Sequence, residues 1–196
     1  MDKVEITGII LAGGKSSRMG TDKSLLVWEN KTLIEHAVDM LKPICSKVII
    51  SANNQVYSFT GCEIWPDERQ DQAPIIGIYS CLKRSETNMN FILSCDMPLI
   101  GTELIRYLVG SCGDLPLLVA VHEDGLIEPL CGVYNKNIIP DMEKCIQSSN
   151  LSLNQFIQDF APHYLKIGKE LPFYKTNMFA NINTPDDLEK LVYQRG

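Results

Sequence analysis

The sequence predicts an α/β fold: a mostly parallel sheet with helices on both faces. Two observations carry that expectation. Short apolar runs of strand length alternate with amphipathic helical stretches along the chain, the pattern of parallel strands joined by crossover helices. The first, third and fourth of these runs lead directly into Gly13-Gly14, Asp67 and Asp96, and ligands of such sheets bind beyond the carboxyl ends of the strands.

The elements follow in order. Residues 6–12 (Ile-Thr-Gly-Ile-Ile-Leu-Ala) form a buried strand that ends at paired glycines. Residues 32–41 place Leu33, Ala37, Met40 and Leu41 on one helical face, and Pro43 follows the helix. Residues 47–52 and 63–65 are the next strands, a helix over 75–85 follows Pro74, and 90–95 is another apolar strand. A helix at 102–109, strands near 117–121 and 129–134, and helices near 137–147 and 152–160 come next. The last helix, 185–193, starts at Thr184-Pro185. No linker or low-complexity stretch divides the chain, so residues 1–196 are expected to form a single domain.

Composition narrows the function. A formal net charge of −6 argues against nucleic acid as a partner, so phosphate binding must be local. No apolar run approaches the ~18 residues of a membrane span, and the N-terminus lacks the long apolar core of a signal peptide. A cytoplasmic location is the expectation. Seven cysteines without a Cys-x-x-Cys pair suit reduced thiols. The recurrence of cysteine at 45, 95 and 145 is coincidence, because the flanking residues share nothing else.

The richest segment is Leu11-Ala12-Gly13-Gly14-Lys15-Ser16-Ser17-Arg18-Met19-Gly20-Thr21-Asp22-Lys23. Paired glycines after a strand let the backbone turn sharply and line a phosphate with N–H groups. Arg18 and Lys23 supply charge for a triphosphate or a departing pyrophosphate. A solvated loop with incidental charges is the alternative. A P-loop is excluded, because Gly14-Lys15-Ser16 would need glycine at position 9, which is Ile9. The dinucleotide fingerprint Gly-x-Gly-x-x-Gly is absent from the segment as well.

This run resembles the phosphate-loop motif of sugar-phosphate and cofactor nucleotidyltransferases, and its Met-Gly-x-Asp-Lys ending is most similar to the molybdenum cofactor guanylyltransferases, the MobA family. The likeness continues in Trp65-Pro66-Asp67 with Pro74-Ile75-Ile76-Gly77, in Ser94-Cys95-Asp96-Met97-Pro98, and in Asn181-Ile182-Asn183-Thr184-Pro185-Asp186-Asp187-Leu188. The resemblance implies a three-layer Rossmann-like nucleotidyltransferase fold. It implies transfer of GMP from GTP to molybdenum-molybdopterin, with Mg²⁺ as cofactor, pyrophosphate as by-product and cofactor-synthesis proteins as candidate partners.

By that resemblance Leu11, Ala12, Gly13, Gly14, Lys23, Asp67, Gly77 and Asp96 bind nucleotide, while Arg18, Lys23 and Asp96 are catalytic. Asp96 and Asn183 take the metal, and Glu128 and Asn181 lie toward the acceptor. Several have a plainer alternative. Asp96 could open a turn before Pro98, and Pro66-Asp67-Glu68 could be a solvent turn. Lys23 could cover apolar surface with its stem. Thr184 could cap a helix with Pro185 first and Asp187 third. Pro129 could begin an edge strand. His36, His122 and His163 have no partner at metal spacing and read as structural or surface residues, and packing accounts for Cys95.

Base specificity should lie around residues 8–13 and 67–77, where no simple code distinguishes guanine. A cytidylyltransferase or other nucleotidyltransferase acting on molybdopterin or a sugar-like phosphate therefore stays open, as does a non-catalytic cofactor carrier. Retention of Arg18, Lys23 and Asp96 weighs against the carrier.

Overall fold

Alternation of side chains sorts the strands between two cores. In the computed structural model, which describes residues 4–12, 22–69, 71, 73–184 and 186–189, strand β1 (Val4–Leu11) sends Ile6 and Ile10 to one side and Ile9 to the other. Strand β6 (Met89–Ser94) divides Phe91 and Leu93 from Ile92 in the same way. This two-residue period, with both faces apolar, is what a sheet covered on both sides requires.

The seven-stranded sheet has the order β5-β4-β1-β6-β8-β7-β9. Its remaining strands are β4 (Cys45–Ser51), β5 (Glu63–Trp65), β7 (Leu117–Val121), β8 (Ile127–Asn135) and β9 (His163–Lys166). Strands β5, β4, β1 and β6 run parallel, β8 is antiparallel to β6 and β7, and β9 is parallel to β7. Helices α1 (Leu33–Leu41) and α3 (Thr102–Cys112) pack on one face. Helices α2 (Pro74–Arg84), α4 (Ile139–Gln147) and α5 (Leu153–Phe160) cover the other. The expected three-layer α/β architecture is what the structure has. No helix among the described residues is long and apolar enough to cross a membrane.

Local chemistry sets the helix starts. Thr32 and Glu35 form a reciprocal capping box at α1, and Pro74 occupies the first turn of α2. The Thr184 cap at the last helix forms too, as a reciprocal box with Asp187. The Asp187 amide donates to Thr184 Oγ1 at 3.3 Å, and the Thr184 amide donates to Asp187 Oδ2 at 3.0 Å. Residues 186–189 are helical, whereas Pro185 and 190–193 of that expected helix lie outside the described residues.

Two differences from expectation have physical causes. Strand β9 was not expected, because three of its four residues are exposed and it lacks an apolar run. The two-residue strands β2 (Val27–Trp28) and β3 (Lys31–Thr32) are too short to show a period. Their turn rests on Glu29 and Asn30, both at positive φ, as a two-residue hairpin needs.

Pro129 belongs to an interior strand, which corrects the edge-strand alternative. A register shift lets it fit: Val119 pairs with Gly132, but Ala120 pairs with Glu128. The extra residues on β8 form a bulge, where a residue without an N–H costs no ladder bond.

Gly132 closes that bulge under severe crowding. A Cβ there would lie 2.4 Å from the Leu118 carbonyl oxygen and 3.1 Å from Val119 Cα, both backbone atoms. Gly132→Ala should destabilise the protein by about 1–3 kcal/mol through overpacking, read as a lower urea midpoint. An unchanged midpoint would show that β7 and β8 can separate more freely than their pairing suggests.

Candidate active site

Register brings the parallel strands to one edge. Leu11 pairs with Ser51 and with Ser94, and Ser51 pairs with Trp65. Beyond the strands, the Ala12 amide donates to the Ser51 carbonyl and the Ala52 amide to the Trp65 carbonyl, each at 3.1 Å. The segments that follow therefore leave a common carboxyl edge. Gly13, Gly14 and Arg18 lie outside the described residues.

Lys23 enters this edge from a short turn whose start is locked. Asp22 Oδ1 accepts from the Ser24 amide at 3.0 Å, and Asp22 Oδ2 accepts from the Tyr57 hydroxyl at 2.6 Å. Tyr57 is fully buried, and burial first, then Asp22, pushes its phenol far above the ordinary value. It thus remains a neutral donor. Ser24 Oγ meets Cys95 Sγ at 3.1 Å, and burial pushes that thiol up to about 12. Cys95 is a packed, protonated thiol.

The Lys23 ammonium donates to Asp96 Oδ2 and, at 3.0 Å, to Asn183 Oδ1. The other Asp96 oxygen accepts from Ser94 Oγ. The Ile182 amide donates to the Asp96 carbonyl at 2.8 Å, so backbone ties the two distant segments together. Lys23, Asp96 and Asn183 are therefore one cluster. Asn181 is exposed, and its neighbour Ile182 makes the tie to Asp96.

Asp67 and Asn53 form a second group on the β4–β5 side. Asn53 Nδ2 donates to Asp67 Oδ2 and the Asp67 amide donates to Asn53 Oδ1, both at 2.8 Å. Burial raises the Asp67 carboxyl above its ordinary value, while the Asn53 bond works against that rise. Gly77 lies in α2 directly under the strand ends. A Cβ there would sit 2.9 Å from Ser51 Oγ, 3.2 Å from Leu11 Cδ2 and 3.4 Å from Asp67 Oδ1. Glycine at that position lets the start of α2 approach the sheet edge.

A family assignment rests on sequence as well as shape. The MobA-like NTP transferase domain matches residues 8–163. This chain belongs to the MobA-like NTP transferase family. It is 37% identical over 191 residues to a probable molybdenum cofactor guanylyltransferase of Carboxydothermus hydrogenoformans, covering 95% of each protein. It is 34% identical over 186 residues to one from Flavobacterium johnsoniae, covering 95% of this chain and 96% of the relative. The crystal structure of molybdopterin-guanine dinucleotide biosynthesis protein A from Archaeoglobus fulgidus superposes with a TM-score of 0.79 at 22% identity, covering 97% of this chain and 100% of that one. At that identity the superposition speaks for the fold.

On the other side of Asp96, this MobA-like chain builds a third group. Glu128 Oε1 lies 2.9 Å from His122 Nε2, and the imidazole stacks on Phe179 with centroids 4.2 Å apart. Burial raises the Glu128 carboxyl, His122 counteracts that, and the Asp96 charge adds to the rise. His122 is thus Glu128's partner, whereas His36 contacts the Trp28 carbonyl and His163 lies exposed on β9. Sequence reasoning missed Asn53, Tyr57 and His122 as members of the site. Asn53 sits directly after a strand, which is a usable signal; Tyr57 and His122 have none.

Asp67 generates a pH prediction. Its folded value is raised, so burying the ionised form costs stability; that cost is absent below the ordinary carboxylate range and grows as pH rises through the folded value. Asp67→Asn should therefore gain stability relative to wild type on moving from about pH 4 to about pH 7, measured by urea unfolding. A difference that stays constant across that interval would mean the carboxyl is not desolvated.

Proposed function

We propose that the chain transfers GMP from GTP to molybdenum-molybdopterin, releasing pyrophosphate and forming the guanine dinucleotide form of the cofactor. The observation that carries this reading is the convergence of Lys23, Asp96 and Asn183 at the carboxyl edge of the sheet. Names of the relatives supply the base and acceptor. Cytoplasmic location and docking to cofactor-synthesis proteins belong to the same proposal.

Mg²⁺ fits the residues present. Asp96 and Asn183 turn hard oxygen donors toward one cationic group, and Mg²⁺ commonly takes one or two protein ligands while phosphates and water fill the rest. Held there, it would supply charge neutralisation at the phosphoryl oxygens. Lys23, with Arg18 and the Gly13-Gly14 loop, would hold the β- and γ-phosphates, and Leu11 and Ala12 would border the nucleotide at the end of β1. Asp67 and Gly77 border the nucleoside, and Glu128 and Asn181 face the acceptor.

Chemistry then needs little beyond alignment. A terminal phosphate oxygen of the pterin attacks the α-phosphorus of GTP. The new P–O bond forms as the α–β bridging bond breaks, and pyrophosphate leaves with that bond's electrons. The acceptor is already anionic at neutral pH, so no strong general base is required, and catalysis rests on positioning and charge stabilisation.

Pyrophosphate release measured with GTP, CTP or ATP, in the presence of Mg²⁺ and molybdopterin, tests the proposal. Release with GTP alone is expected. Release with CTP instead would overturn the base, and none with any nucleotide would overturn the enzymatic reading. Asp96→Ala should lower turnover at least about a hundredfold with an unchanged circular dichroism spectrum; full activity would remove Asp96 from the chemistry.

A further inference from the structure

We propose that the Lys23 ammonium holds the divalent-cation position in the nucleotide-free protein and gives it up as nucleotide arrives. This rests on the metal reading above and adds a competition within the site. Lys23 Nζ bonds Asp96 Oδ2 and Asn183 Oδ1, the same oxygens that fit the metal. Two cations cannot share those oxygens at contact distance, because like charges there repel strongly in a partly desolvated site.

The Asp96 carboxylate and the Asn183 backbone are held independently of Lys23. Asp96 Oδ1 accepts from Ser94 Oγ, its carbonyl accepts from the Ile182 amide at 2.8 Å, and the Asn183 amide donates to Asp187 Oδ2 at 3.1 Å. Only the lysine side chain needs to move. Its backbone is pinned by the Asp22 cap and by the Leu26 amide, which donates to the Lys23 carbonyl at 3.0 Å. Its side chain retains 23% exposure and ends a flexible four-carbon stem.

The exchange keeps every charge matched. Without nucleotide, Asp96 is neutralised by Lys23. With nucleotide, the ammonium gains phosphate oxygens as new partners, and the freed oxygens take the metal. Lys23 thus couples metal entry to the presence of a triphosphate and keeps metal affinity low until one binds.

Mn²⁺ binding, read by the loss of the free-ion electron paramagnetic resonance signal, tests this without an activity measurement. Nucleotide-free Lys23→Met and Lys23→Gln should each bind Mn²⁺ at least about tenfold more tightly than wild type, with circular dichroism showing which variants are folded. Equal or weaker Mn²⁺ binding in a folded variant overturns the exchange. If that equality accompanies clear Mn²⁺ uptake by wild type with a non-hydrolysable GTP analogue, the metal reading survives and only the exchange fails. Absence of uptake by every protein, analogue included, overturns both.

Discussion

Lys23 reaches Asp96 across 73 positions of sequence and Asn183 across 160, and the rest of the site is arranged so that this bridge can form. A carboxylate as buried as Asp96 costs the fold dearly unless it is paired and hydrogen-bonded. Ser94 and Lys23 meet that requirement on its two oxygens. The bridge in turn depends on the sheet, because Leu11 and Ser94 end level on adjacent strands. It depends equally on the Asp22–Tyr57 bond, which fixes the turn from which Lys23 extends. Backbone pairing, a buried phenol and an ion pair act in series.

Strand β6 is where the pairing in the sheet changes from parallel to antiparallel. Its neighbour β1 is parallel to it and its neighbour β8 antiparallel. Asp96 follows β6, so it lies between two kinds of neighbour. On the parallel side, Asn53 and Asp67 come from loops that follow β4 and β5. On the antiparallel side, Glu128 comes from the beginning of β8, since that strand runs the opposite way. The topology thus puts the Asn53–Asp67 pair and Glu128 on opposite sides of Asp96, the sides proposed above for nucleotide and acceptor.

Much of this was legible because parallel strands buried on both faces must be short apolar runs. The runs around Ile9, Ile49 and Ile92 announce themselves, and Asp96 beyond the last of them and Asp67 beyond the short 63–65 strand stand out as carboxylates at strand ends. Strand β9 was illegible because His163 and Tyr164 are exposed at the sheet's edge. The hairpin at Glu29-Asn30 offers too few residues for a period. Site residues divide in the same way. Lys23 belongs to a local motif, whereas the partnership of Tyr57 with Asp22 spans 35 positions and depends on how the loop after β4 folds back. The His122–Glu128 pair is local in sequence but rests on the hairpin register that pairs Ala120 with Glu128 and Val121 with Ile127.

The three carboxyl groups along the edge have partners of different electrical character. Asp67 is bonded by the Asn53 amide, a neutral dipole that only offsets part of the effect of burial. Glu128 faces the His122 imidazole, which is a cation only when protonated. Of the three, Asp96 alone has a permanent cation against it. Burial disfavours charge at the first two, and Asp96 adds to that effect at Glu128. On the proposed reading, Asp96 is the carboxylate of the three that would take a dication once Lys23 has another anion to hold, and the triphosphate would be that anion.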